Sequence, residues 1–283
     1  MTTSMDLSLN LTGTHVLITG GAGIIGRVVV DAFLAAGARV SSLDIAYDTV
    51  GPSPAHDETP VRRQRIRCDI SSENSVREAF AAAVQKFGTV ACCVALGGLD
   101  YSVLEHSESI ADASFGQLQR VLEVNVAGTW LVAREWVRGL RAAKGNGEKL
   151  KNVGLVIVGS ECGWFGERMN SDYAAGKSAV QVGLLLSLRA DVVRIWEGAR
   201  VNAIAPGAVD TARFKDECKD DPQQFWKEAQ ATTALRKPVP CESVAKSILY
   251  LASENFSGHV HGQVLNVDSG KQGKVIWTKE ECI

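Results

Sequence analysis

The stretch His15–Ala36, HVLITGGAGIIGRVVVDAFLAA, decides the fold. His15–Ile18 is an apolar run of strand length, and Ile24–Ala36 carries apolar residues at helical spacing. Between them stand Gly20, Gly21 and Gly23, with Gly26 in the first turn of the helical stretch. Glycine lets a backbone turn tightly and approach a pyrophosphate, which then sits at the positive end of the helix that follows. A strand, a glycine loop and a helix in that order are the context that gives the glycines a meaning.

Working outward, the alternation continues. Further strands are expected at Arg39–Leu43, Arg65–Arg67, Val90–Ala95, Val153–Val158, Arg200–Ala205 and Gln263–Val267. Helices are expected at Glu73–Phe87, Phe115–Leu140, Ser171–Ile195 and Glu242–Leu251. Seven β units separated by helices predict an α/β fold: one Rossmann-type, doubly wound, seven-stranded parallel sheet covered by helices. The expectation is a single domain over residues 1–283, with its core at 11–270. Three stretches interrupt the rhythm: a surface loop at Tyr47–Pro60, a charged insertion at Arg141–Asn152, and a polar, aromatic lid at Thr211–Lys237. A tail, Lys271–Ile283, follows the last strand.

Composition narrows the partners. Apolar residues make up 46% and charged residues 22%, with a formal net charge of −2, so no nucleic acid is expected. The basic cluster Arg62–Arg67 reads as the solvated start of a strand rather than a phosphate surface. No apolar run reaches the ~18–20 residues that span a bilayer, and residues 1–10 lack the pattern of a secretory signal. Seven cysteines without a C-x-x-C pair give neither a metal nor a disulfide framework, which fits a reducing, cytoplasmic location.

Asp44 ends the second strand, 18 residues after Gly26. A carboxylate there accepts hydrogen bonds from the adenosine ribose and repels a 2′-phosphate. No Arg or Lys stands in the loop before Gly26, so NAD is favoured and NADP is the second choice. Asp69, after the third strand, is a partner for the adenine amino group; its alternative is a helix cap, for which Ser71 and Ser72 are better placed.

The chemistry is expected further on. Ser160 ends the fifth strand, and Tyr173 follows 13 residues later in Tyr173-Ala174-Ala175-Gly176-Lys177. Residues four apart share a helix face, so the phenol and the ammonium are neighbours. A free tyrosine, with a pKa near ~10, is a poor proton carrier at neutral pH. A nearby ammonium and a cationic nicotinamide would favour tyrosinate, while Ser160 holds the substrate oxygen.

Together with Asn125-Val126-Ala127-Gly128, Asn202–Gly207, Thr211 and Gly262–Gly270, these residues resemble the classical type of the short-chain dehydrogenase/reductase family over Leu11–Gly270. The resemblance implies a tetrad of Asn125, Ser160, Tyr173 and Lys177. In it Asn125 holds a water for a proton relay, and Lys177 also binds the nicotinamide ribose. It also implies a cofactor site of Gly20, Gly23, Ile25, Gly26, Asp44, Ile45, Asp69, Ile70, Ala95 and Gly97, joined by Tyr173 and Lys177. Val209 and Thr211 would contact the carboxamide.

Three departures stand out. Ile24 occupies a usual glycine position, and Gly23 gives a spacing closer to the extended branch. Ala95-Leu96-Gly97-Gly98 replaces Asn-Asn-Ala-Gly, losing two bracing amides. Asn125 and Ser160 lie 35 residues apart, the excess being the Arg141–Asn152 insertion.

Family position places Leu96, Trp164, Phe165 and Phe214 beside the substrate. Mostly apolar, they predict a hydrophobic secondary alcohol or ketone of the terpenoid, polyketide or steroid kind, as in secondary metabolism. A homodimer or homotetramer is implied, with Val180–Leu188 as one candidate seam. Two rival readings remain: a non-redox isomerase, cyclase or epimerase on this scaffold, and a cofactor-sensing binding protein. The intact tetrad speaks against the sensor.

Overall fold

The structure, a computed structural model, describes residues 5–47, 62–101, 103–278 and 280–282. The loop expected at Tyr47–Pro60 lies, apart from Tyr47, outside the described residues.

Seven strands form one all-parallel sheet in the order β3-β2-β1-β4-β5-β6-β7. They are β1 (His15–Thr19), β2 (Arg39–Asp44), β3 (Arg63–Arg67), β4 (Cys92–Ala95), β5 (Gly154–Val158), β6 (Arg200–Pro206) and β7 (Val264–Val267). Strands β1, β4, β5 and β6 are buried at every residue, which is why they read as unbroken apolar runs rather than as alternation. The order reverses between β1 and β4, and register puts Thr19 level with Ala95 there. Such a reversal opens a crevice at the carboxyl ends of the strands.

Helices cover both faces. Helix α1 (Ile24–Ala35) and α9 (Cys241–Ala252) bury Val29, Phe33, Val244 and Ile248 on one. Helices α2 (Glu73–Phe87), α4 (Thr129–Gly145) and α7 (Leu185–Ile195) bury Phe80, Trp136, Leu140 and Val192 on the other. Ser72 caps α2, accepting from the Ser75 N–H, while Asp69 accepts from the Ser71 N–H and hydroxyl.

The two long helical stretches form, but neither is continuous. The first runs α3 (Phe115–Val121), a π-helical turn at Leu122–Gly128, then α4. The second runs α6 (Ser171–Ser178), a π-helical turn at Ala179–Leu184, then α7. A π turn adds a residue while leaving apolar spacing intact on either side, so periodicity alone cannot show it. Such turns gather at functional sites; these hold Asn125 and Gln181.

The expected insertion at Arg141–Asn152 needs correcting, because α4 continues to Gly145. Ala143 stays buried while Arg141 and Lys144 face solvent. Short elements went unforeseen: α5 (Cys162–Phe165), α8 (Ala212–Asp220), a third π turn at Trp226–Gln230, and α10 (Glu254–Ser257). None is long enough to carry a clear period.

Candidate active site

At the β1 end of the crevice the glycine loop packs against itself and against the loop after β4. Gly20 has φ +71°, and a Cβ there would lie 2.8 Å from the Gly97 Cα. At Gly26 a Cβ would come within 2.0 Å of the Gly20 carbonyl oxygen, so only glycine lets α1 start so close to the loop. Gly23 is the N-cap of α1 and supplies no side-chain cap, leaving the first-turn amides facing the crevice mouth. The glycine standing one residue early still serves the turn, and Ile24 projects outward, 51% exposed. This arrangement fits a dinucleotide pyrophosphate.

Asp44 accepts from the Ala22 N–H and the Ala46 N–H, both at 2.9 Å, one on each carboxylate oxygen. It ties the glycine loop to β2 and keeps a lone pair on each oxygen for further donors. Ile45 is exposed beside it, while Ile70 is buried against Gly128. Ile25 packs on the α1 side of the core, and Ala95 ends β4. The bracing amides missing after β4 are replaced: the Thr19 hydroxyl accepts from the Leu96 and Gly97 N–H groups at 3.2 and 3.0 Å. Outside Asp44, a hollow of about 430 Å³ is lined by Ala22, Arg27, Asp31, Tyr47, Arg63 and Arg65. The sequence reading missed this set, because Arg63 and Arg65 reach Arg27 only through the β2–β3 pairing.

The four tetrad residues are all buried and come together at the ends of β4 and β5. Asn125, in its π turn, closes a pair of bonds with Leu99: its Oδ1 accepts from the Leu99 N–H at 2.7 Å, and its Nδ2 donates to the Leu99 carbonyl at 3.0 Å. The Asn125 carbonyl accepts from the Thr129 hydroxyl. Lys177 donates to the Val158 carbonyl at 2.9 Å, and its ammonium lies 5.6 Å from the centre of the Tyr173 ring. Burial lowers the Lys177 pKa to about 8. Burial also pushes the Tyr173 phenol above its ordinary range, and Cys162 adds to this while a hydrogen bond with Ser160 opposes it. In the protein by itself burial therefore outweighs the expected help from Lys177.

Gln181 belongs to this site and was not foreseen. It is fully buried, and its Oε1 accepts from the Ser160 N–H at 2.9 Å. Gly159 and Gly163 leave room for it, since a Cβ at either would overlap its amide. A glutamine eight residues after Tyr173 has no signature in sequence, and only the π turn brings it under β5.

The expected substrate residues scatter. Leu96 packs over Gly20, and Phe214 packs against Phe225 inside the lid, with ring centres 6.4 Å apart. Trp164 turns to β7 and donates to Asn266 at 3.1 Å; Phe165, like it, is partly exposed. Val209 bridges to Val239, and the Thr211 hydroxyl caps α8 by accepting from the Phe214 N–H. The residue that meets Tyr173 is instead Tyr101, its ring 4.7 Å from that of Tyr173. Cys162, Leu104, Val121 and Ala174 are in the same apolar cluster, with Leu99 packed against it.

Comparison with known proteins agrees with the geometry. The model of a family described as Enoyl-(Acyl carrier protein) reductase matches residues 20–272. Short-chain dehydrogenase reductase 3a of Arabidopsis thaliana is 32% identical over 93% of this chain and 96% of its own. (+)-Borneol dehydrogenase 1 of Salvia officinalis is 31% identical over 95% and 98%. Cis-4-hydroxycyclohexanecarboxylate dehydrogenase of Sinomonas cyclohexanicum is 30% identical over 90% and 94%. A solved short-chain dehydrogenase/reductase from Brucella melitensis shares the fold, with a TM-score of 0.71 at 22% identity over 92% of this chain and 97% of that one. The chain belongs to the short-chain dehydrogenase/reductase family, in its classical type. Members of this family are oxidoreductases that use NAD or NADP, and so is this one. Among the described residues no helix is long and apolar enough to cross a membrane.

Proposed function

We propose that the protein interconverts a secondary alcohol and a ketone on a neutral, mainly hydrophobic molecule, with Tyr173 as the acid–base group. The observation that carries this is the buried cluster of Ser160, Tyr173 and Lys177 at the carboxyl end of β5. Ser160 hydrogen-bonds the substrate oxygen, and Gln181 fixes the backbone that carries it. Tyr173 passes the proton at its hydroxyl, and the Lys177 ammonium offsets the charge left on the ring oxygen. The Gly20–Gly26 loop and Asp44 would hold a nicotinamide dinucleotide, which when bound would supply or accept the hydride. The Asn125–Leu99 pair holds the β4 loop over the cluster.

The charges around the pocket support a neutral substrate. Lys274 is ringed by Glu161, Glu167 and Glu228, and Arg213 is paired with Glu217. Relatives named for borneol and for a chlorinated cyclohexadienediol support cyclic alcohols. NAD is favoured through Asp44. The arginine-lined hollow outside Asp44 is the one observation behind NADP. A cytoplasmic homodimer or homotetramer fits half-exposed Trp130 and Leu186, although Val180 and Leu185 face the core; light scattering gives the state.

The test is to follow reduced nicotinamide by absorbance while purified enzyme meets a panel of neutral and anionic alcohols. Net reduction with neutral cyclic alcohols supports the reading. Product formed without net reduction favours the isomerase, and preference for anions or sugars removes the hydrophobic substrate.

A further inference from the structure

Tyr101 is held by Tyr173, Cys162, Glu167 and Arg213, and the C-terminal segment reaches it at one remove, through Glu167. Its ring lies on Tyr173, and its hydroxyl is 2.8 Å from the Cys162 Sγ and 3.3 Å from the Glu167 carboxylate. Its carbonyl accepts from Arg213 of α8 at 3.0 Å. Cys162 is itself fixed beside the catalytic serine, since its N–H donates to the Ser160 hydroxyl.

The same Glu167 oxygen that takes the Tyr101 hydroxyl takes the Lys274 ammonium at 2.9 Å. Lys274 also meets Glu161 at 3.0 Å and Glu228 at 3.1 Å, and Lys271 pairs with Glu228 at 2.7 Å. Backbone bonds fasten the segment to the lid: Gln272 donates to the Thr232 carbonyl, and Ala234 donates to the Gly270 carbonyl. Removing the Lys274 charge would leave buried Glu161 and part-buried Glu228 to Lys271 alone, and would take from Glu167 its contact with Lys274. Buried charges tolerate that poorly, so a carboxylate must take up a proton or turn toward water. Glu167 is the one whose movement frees Tyr101.

We propose that Tyr101 sets the bulk of substrate admitted to Tyr173, and that Lys274 positions Tyr101 through Glu167. A substrate oxygen bonded to Ser160 and Tyr173 directs its carbon substituents past the Tyr173 ring, where the Tyr101 ring forms the wall. This rests on the alcohol-oxidoreductase reading above. Tyr101 is a specificity-determining residue, and Lys274 is a positioning residue that acts on it from outside.

The experiment compares wild type, Tyr101→Ala, Lys274→Met and Lys274→Arg in the full chain with NAD bound. Cyclohexanol and borneol serve as a small and a bulky probe. Tyr101→Ala should raise the borneol-to-cyclohexanol ratio of kcat/KM by at least about tenfold, the scale on which apolar pockets discriminate. Lys274→Met should raise it in the same direction, and Lys274→Arg should restore it. Independently of turnover, hydrogen exchange at the Leu99, Tyr101 and Leu104 amides should quicken in Lys274→Met.

An unchanged ratio in Tyr101→Ala overturns the role of Tyr101. Faster exchange confined to the lid and the segment after Gly270 overturns the role of Lys274. Should Lys274→Met fail to fold, Glu167→Gln cuts the same link and is held to the same outcomes. If wild type oxidises neither alcohol, the Tyr101 proposal falls with the alcohol reading, while the exchange measurement still judges Lys274.

Discussion

At the β1–β2 end of the crevice, the cofactor side is made from one short run and one carboxylate. Gly20, Gly23 and Gly26 sit within seven residues, and Asp44 binds back to the Ala22 N–H inside the same loop. At the β5–β6 end, the substrate side is assembled from four distant segments. Tyr101 comes from the β4 loop, Cys162 and Glu167 from beyond β5, Glu228 from the lid, and Lys271 and Lys274 from the end of the chain. The first region is stiffened by backbone sterics and the second by buried charge. A family can therefore hold the first constant while exchanging the second, because loops alter partners more readily than a glycine turn alters shape.

If that contrast is right, the two sides should fail in different ways. The largest effect is expected at Lys271, whose side chain is fully buried against Glu228 and Glu161. Lys271→Met leaves those carboxylates to Lys274 alone and should cost about 3–5 kcal/mol in denaturant unfolding. Loss of less than about 1 kcal/mol would show that buried charge does not hold this side.

A region outside both sides supplies a control. His15, at the start of β1, is buried between the Gly88 carbonyl and the Ser41 hydroxyl, each at 2.7 Å. Burial lowers its pKa from 6.5 to about 4. Between those values the unfolded chain binds the proton and the folded one does not. Its stabilising contribution is therefore full above pH 6.5 and drains away as pH falls toward 4, a loss of about 3 kcal/mol. The difference in unfolding free energy between wild type and His15→Asn should change by that amount across the window. A flat difference would mean the ring is protonated in place.

On the cofactor side the expected damage is to binding. Gly26→Ala puts a methyl against the Gly20 carbonyl and should weaken NAD about 100-fold by calorimetry, equivalent to about 2.7 kcal/mol. Affinity like that of wild type would show that the loop yields. The smallest effect is expected at Asp44. Asp44→Ala should shift the preference between NAD and NADP about tenfold toward NADP, drawing on Arg27, Arg63 and Arg65 next to it. An unchanged preference would remove Asp44 as the selector.

This same contrast explains what could be read before the structure. All seven strands and the glycine loop were legible, because each is written in contiguous residues with local physical consequences; of the candidate tetrad only the Tyr173–Lys177 spacing is local, and Asn125 came from the family resemblance alone. Asp44 was legible as the end of β2, though not its bonds to Ala22 and Ala46. The substrate side was legible only as a place. Leu96 lies in the loop after β4, Trp164 in α5 and Phe214 in α8, and these short elements fix which way each side chain turns. Trp164 went to Asn266 and Phe214 to Phe225. Tyr101, Gln181 and Lys274 have meaning only through contacts made across 50 or more residues, as with Tyr101 and Cys162 at a separation of 61, or through a π turn.

The most direct test of the account is Tyr173→Phe, measured for NAD affinity and for kcat with a neutral alcohol that wild type oxidises. NAD affinity should hold while kcat falls about 10²–10⁴-fold, the contribution of a positioned acid–base group. Turnover close to that of wild type would contradict the central claim that the proton passes through Tyr173.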